Sequence, residues 1–191
     1  MKKWEARDAL AAGVFAAIHC ALMVACGQAE RLPMLYVFLP VLLPLVMAIF
    51  FMLFLTKGKS LGRIALMGAL GGGLTALFGH TLLPVVAGVV GGLTADLICM
   101  AGRYQSRKFS VLGCGVFSLW MAGAALPFRT MKESFEKAFG SGLGGEYAAR
   151  TSGLFESIAW LFPFLALGAG IIGAFLGMAL WKKQFRQAGI V

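Results

Sequence analysis

The sequence predicts an all-α integral membrane protein, a bundle of six transmembrane helices, and three observations predict it. Of its 191 residues 60% are hydrophobic and only 13% charged, against about 45–50% and 25% in soluble chains. The apolar residues gather in six runs, most of them long enough to cross ~30 Å of hydrocarbon at 1.5 Å per residue. Between the runs lie short clusters of positive charge or chain breakers. Asparagine is absent. A chain of this composition cannot make a water-facing surface of ordinary polarity, and its length fits one transmembrane domain spanning residues 1–191.

The first segment, MKKWEAR followed by an apolar run to Ala25-Cys26, imitates a secretory or lipoprotein signal. Met23 stands three residues before Cys26, where leucine is typical, and Trp4 suits a membrane interface. The segment is therefore read as a first helix that is retained. The six spans run Ala9–Cys26, Pro33–Leu55, Leu61–Gly79, Leu82–Ala101, Phe109–Phe128 and Leu154–Trp181. The first is short, and the last is long enough to tilt or project.

Orientation follows from the positive charges. Lys2, Lys3 and Arg7 precede span one; Lys57, Lys59 and Arg63 join spans two and three; Arg103, Arg107 and Lys108 join four and five; Lys182, Lys183 and Arg186 follow six. These twelve lie on one side, against Arg31, Arg129, Lys132, Lys137 and Arg150 on the other. Both termini are thus expected in the cytoplasm of a bacterial cell, with the chain multi-pass in its inner membrane. The net charge of +9 is distributed between apolar runs rather than on one face, which argues against nucleic acid. Cys20, Cys26, Cys99 and Cys114 stand in apolar stretches without a CxxC pair, so they read as small hydrophobes.

On this topology Gly79-His80-Thr81 is a tight external turn, and Arg129–Gly153 is a long external loop. Its first half, RTMKESFEKAF, sets Met131, Phe135 and Phe139 on one helical stripe before GSGLGG breaks it. A half-apolar external segment beside a bundle has the character of a lid, and equally that of a plain interfacial helix.

Glycine is unusually common, 26 residues in all. Within lipid, helix association depends on close packing of small residues, and Gly68/Gly72, Gly88/Gly92 and Gly173/Gly177 each stand four apart in spans three, four and six. They are expected to let backbones meet. In span one Ala9, Gly13, Ala17, Ala21 and Ala25 repeat at four along the whole helix, with Ala12 and Ala16 beside them. A smooth face this long suits either an internal neighbour or reversible docking of a second membrane protein.

Several stretches together carry a resemblance: ARDALAAGVFAAI at 6–18, GH at 79–80, GGLTADLI at 91–98, VFSLW at 116–120 and AGIV at 188–191. In order and spacing the chain resembles the substrate-binding S-components of energy-coupling factor (ECF) transporters, and more narrowly the Trep_Strep family. The resemblance implies a subunit that binds a vitamin-like solute from outside. It would associate with a transmembrane coupling protein and two cytoplasmic ATPases, and topple in the bilayer to release its cargo. It places the docking motif on Gly13 and Ala17, flanked by Ala12 and Ala16. Glycine at the first position departs from the commoner alanine. No Walker A loop occurs, so ATP hydrolysis is expected from the partners and not from this chain.

Polar groups that would meet a solute near the outer leaflet are few. His80 and Thr81 sit at the external turn. Trp120, with Ser118 two residues before it, offers a ring for stacking. Arg129, Lys132 and Glu133 end span five, and Glu146, Tyr147, Glu156 and Trp160 approach span six. Arg129 or Lys132 would suit an anionic group. Interfacial Arg, Tyr and Trp are also ordinary membrane anchors. Asp96, near the cytoplasmic end of span four, is expected to pair with Arg103 or another base in a structural or conformational role.

Two other classes fit less well. A stand-alone secondary transporter or channel would need a coupling-ion path, for which only Asp96 and Glu156 are placed. An intramembrane hydrolase would need a metal set or a nucleophile with its base. His19 in span one and His80 at the outer turn do not supply one, and neither HExxH nor GxSxG occurs. No resident cofactor or metal is expected.

Overall fold

In the computed structural model the residues described are 6–27, 33–57, 59–77, 82–122, 146, 153 and 157–188, and their elements are all helical. Helix α1 spans Ala6–Gly27, α2 Pro33–Leu55, α3 Arg63–Leu77, α4 Leu83–Ala101 and α5 Arg107–Ala122. A 3-10 turn, Ala159–Leu161, leads into α6, Phe162–Leu180, and the short α7 follows at Lys182–Ala188. Each expected span overlaps one of α1 to α6, although α1 and α5 begin before their spans, at Ala6 and Arg107, and α3 begins after Leu61, at Arg63. The ends at 78–79, 123–128 and 154–156, and the loop 129–153 apart from 146 and 153, lie outside them.

Local chemistry sets the element ends. Pro84 and Pro163 occupy the first turns of α4 and α6, where a missing N–H costs nothing and the fixed φ favours the helix. Helices α2 and α3 are separated by Lys57, Lys59 and the left-handed Gly62 (φ 89°). Among the described residues two helices are long and apolar enough to cross a membrane by length and composition, Leu83–Ala101 and Ala159–Leu180. Ala9–Leu22, Val41–Leu55 and Arg63–Leu77 form shorter apolar stretches.

The helices form a closed ring of neighbours, α1–α3–α4–α5–α6–α2 and back to α1, with α5 also reaching α2 across the middle. Small residues make the joints. Gly68 of α3 lies against the Gly88 backbone of α4, and Gly88 against that of Gly68. A Cβ on Gly72 would lie 2.7 Å from Val85 Cα, and one on Gly92 2.6 Å from Ala65 Cα. Gly173 and Gly177 of α6 rest on α2, where a Cβ would come 2.7 Å from Ala48 Cβ and 3.0 Å from Ile49 Cα. The six spaced glycines all sit at helix contacts, as their spacing predicts.

The outer surface is apolar. Val86, Val90, Leu93 and Leu97 form an exposed stripe on α4 whose opposite face buries Gly88, Gly92, Ala95 and Asp96. Ile172, Phe175, Leu176 and Leu180 likewise face outward on α6. Hydroxyls in the helices bond their own backbone: Thr75 Oγ1 donates to Gly71 O (2.9 Å) and Ser118 Oγ to Cys114 O (3.0 Å) in the interior, and the exposed Thr94 Oγ1 to Val90 O (2.8 Å). Bulky apolar side chains outside and small or polar groups inside is the arrangement that lipid favours.

Candidate functional site

Among the described residues two polar centres lie inside the bundle, one at the start of α3 and one near mid-helix. The first is at the N-terminus of α3. Asp96 is fully buried, and its Oδ2 accepts from three backbone N–H groups, those of Gly62 (3.0 Å), Ile64 (3.1 Å) and Ala65 (3.2 Å). The carboxylate of α4 therefore caps a neighbouring helix, taking up donors that a helix start leaves unsatisfied and adding negative charge where the helix dipole is positive. Its Oδ1 accepts from the Tyr104 hydroxyl at 3.1 Å.

The expected partner, Arg103, takes no part in this network. Arg103 and Tyr104 both adopt left-handed backbone (φ 54° and 53°), a conformation costing roughly 1–2 kcal/mol for each non-glycine residue. The turn is held by Arg103 N–H to Met100 O and Tyr104 N–H to Cys99 O, both 2.8 Å. Its result is to leave Arg103 exposed and swing Tyr104 back under α4. Burial, and next the charge of Asp96, push the Tyr104 phenol above its ordinary range, so it stays a donor. Arg63, also buried, sets its guanidinium 4.6 Å from the centroid of the Phe54 ring.

The second centre joins α1, α3, α4 and α5. His19 (1% exposed) and Trp120 (3% exposed) meet with ring centroids 5.3 Å apart and planes tilted by 56°. Both imidazole nitrogens and the indole Nε1 are buried without a hydrogen-bond partner. Glycines make space for the rings. A Cβ on Gly71 would lie 3.2 Å from the indole edge and 3.7 Å from His19 Cδ2, and one on Gly91 3.5 Å from Trp120 Cβ. Phe117 continues the cluster, 6.2 Å from Trp120 and stacked on Phe51 at 5.0 Å.

Helix α1 also carries an outward face. Ala9, Gly13, Ala17, Ala21 and Ala25 are all exposed, and a Cβ on Gly13 would meet nothing within 4 Å. Ala12 (0% exposed) and Ala16 (8%) are different: they face inward beside Phe15 and His19. The docking strip expected from the sequence thus divides, with Gly13 and Ala17 outside and the flanking pair in the core. Between α1 and α2 a groove of about 430 Å³ is lined by Leu10, Val14, Ile18, Phe50 and Leu53, with Lys57 at its edge.

Of the residues expected to hold a solute, Trp120 lies in the ring cluster, whereas Trp160 is exposed in the 3-10 turn before α6. His80, Thr81, Arg129, Glu133 and Tyr147 lie outside the described residues. His19 was not expected. Its one sequence signal is an imidazole in an apolar helix, which a packed core histidine gives equally. Among the described residues no group of three or more His, Cys, Asp or Glu could hold a metal ion.

Over residues 6–187 the chain matches the model of the Trep_Strep family, described as hypothetical bacterial integral membrane protein. The chain belongs to this family. The outward Val and Leu stripes of the bundle suit a family of integral membrane proteins. No curated protein and no solved structure matches the chain.

Proposed function

We propose that this chain is the membrane-embedded solute-binding subunit of an ATP-driven importer of the energy-coupling factor type. In this reading it spans the bacterial inner membrane six times with both termini in the cytoplasm. It captures a vitamin-like small molecule from outside and delivers it through a transmembrane coupling protein driven by two cytoplasmic ATPases. The chain itself is not an enzyme.

The outward strip on α1 carries the reading. Five small residues on one exposed face present backbone and methyl groups to a partner, and the exposed Gly13 position has room for contact. The bundle is already closed without that face, since α1 reaches α3 and α2 through Ala12, Phe15, Ala16 and His19. Small exposed residues are what close approach between helices in lipid requires, and a contact resting on them has few large groups to disengage. The order of motifs along the chain, as in the S-components, supports the same assignment. A self-sufficient transporter would need Asp96 for a coupling ion. Its four hydrogen bonds fit a structural role instead.

The test pairs uptake with binding. Mass spectrometry of the detergent-extracted chain identifies the solute that co-purifies. A Gly13→Leu/Ala17→Leu double variant should then lose uptake of that solute in cells while binding it within about twofold of the parent. Normal uptake by the double variant would remove the docking claim.

A further inference from the structure

A buried hydrogen-bonding group without a partner is uncommon, and the His19–Trp120 pair has three such nitrogens in one place. The pair's position along its helices is informative. His19 is thirteen residues beyond the start of α1, and Trp120 thirteen beyond the start of α5, which places each roughly 20 Å along its helix at 1.5 Å per residue. The expected spans begin later, at Ala9 and Phe109, so the rings, 10 and 11 residues in, lie near the middle of a ~30 Å hydrocarbon core. Asp96 lies five residues beyond Gly91 on α4, about 7 Å further along that helix. The rings are flanked by Gly71 of α3 and Gly91 of α4 on one side and by Phe117 on another.

We propose that His19 and Trp120 form the hydrogen-bonding floor of the solute site, and that they select an uncharged flat heterocycle with a lactam or imide edge, a ring C=O beside a ring N–H. This rests on the reading of the chain as a solute-binding subunit. The donor inventory sets the class. Indole offers one N–H, and a neutral imidazole one N–H and one lone pair. The matching edge must supply carbonyl acceptors together with at least one N–H. A carboxylate supplies acceptors alone and leaves the imidazole lone pair unmet. No described cation or carboxylate is bonded to either ring, so a charged solute would be buried there without a counter-ion. The aromatic neighbours Phe117 and Phe51 suit a flat ring. In this closed form the three nitrogens are sealed from solvent, so the rings part to admit the solute, and its edge then completes the missing bonds.

Two measurements on the full purified chain test this. The first is thermal unfolding without solute. His19→Phe keeps a ring and removes both unpartnered nitrogens, so its midpoint should equal or exceed the parent's; a clear fall would make His19 a structural residue and overturn the proposal. The second follows tryptophan fluorescence during titration with 2-pyridone, uracil and hypoxanthine, each beside its fully N-methylated counterpart, and with benzoate. At least one lactam or imide probe should change the emission, with affinity reduced about tenfold or more by N-methylation and by His19→Phe, and, read by titration calorimetry because that variant lacks the reporting indole, by Trp120→Phe. A response to benzoate alone, equal binding of the methylated probes, or no response to any probe would overturn the assigned class. The importer reading fails on a different result, uptake undisturbed in the α1 double variant.

Discussion

Asp96 shows how a single ionisable side chain is kept within an apolar body. Each hydrogen bond to a charged group contributes roughly 1.5–3 kcal/mol, and a buried donor left without its acceptor costs about 1–3 kcal/mol. Asp96→Ala strands three N–H groups of α3 and is expected to destabilise the chain by roughly 3 kcal/mol or more. Asp96→Asn, which keeps one acceptor oxygen, should cost less. Tyr104→Phe, losing one bond, should cost about 1 kcal/mol. Thermal unfolding in detergent should rank the variants in that order; equal midpoints would show that the cap is not a stabilising element. Because the folded state holds the Tyr104 proton more tightly, its contribution is complete below about pH 10 and is lost as pH rises toward the raised value. The cost of Asp96 was legible in the sequence, but its partner was not. A spacing of seven pointed to Arg103, and two successive left-handed residues, which no glycine announces, turned Tyr104 inward instead. His19 was hidden for another reason: the indole it meets is a hundred residues away, and no local pattern links them.

At the scale of the helix, glycines at the same spacing play opposite roles. Gly88 faces the backbone of Gly68, with carbonyl carbon and Cα 2.8 and 3.4 Å from where its Cβ would stand, while Gly13 faces open space. Gly88→Ala should therefore force α3 and α4 apart at a cost of about 1–3 kcal/mol. Gly13→Ala should leave stability unchanged or raise it by up to about 1 kcal/mol through helix propensity. A comparison of the two unfolding midpoints checks both, and an equal loss would mean that α1 is packed on its outer face. The helix joints were legible because residues four apart share a face, and the ends because charge and proline mark them. The inward face of α1 was less so. Ala12/Ala16 and Gly13/Ala17 are neighbouring small stripes about 100° apart on the helix. Only Phe15 and His19, which share the side of Ala12 and Ala16, decide between them.

At the scale of the molecule, the described residues form a closed ring of helices with glycine joints, an outward aliphatic coat and a smooth outward strip on the first helix. The ring leaves α1 with a free side, and the assignment as an importer subunit depends on what meets that side in the cell. A photo-crosslinking residue at position 13, activated in intact bacterial membranes, tests this most directly. Adducts should form with a separate membrane protein that co-purifies with ATPase subunits, and Ala17→Leu in the same chain should reduce them severalfold. Crosslinks only to lipid, or only to other helices of the same chain, would contradict the assignment.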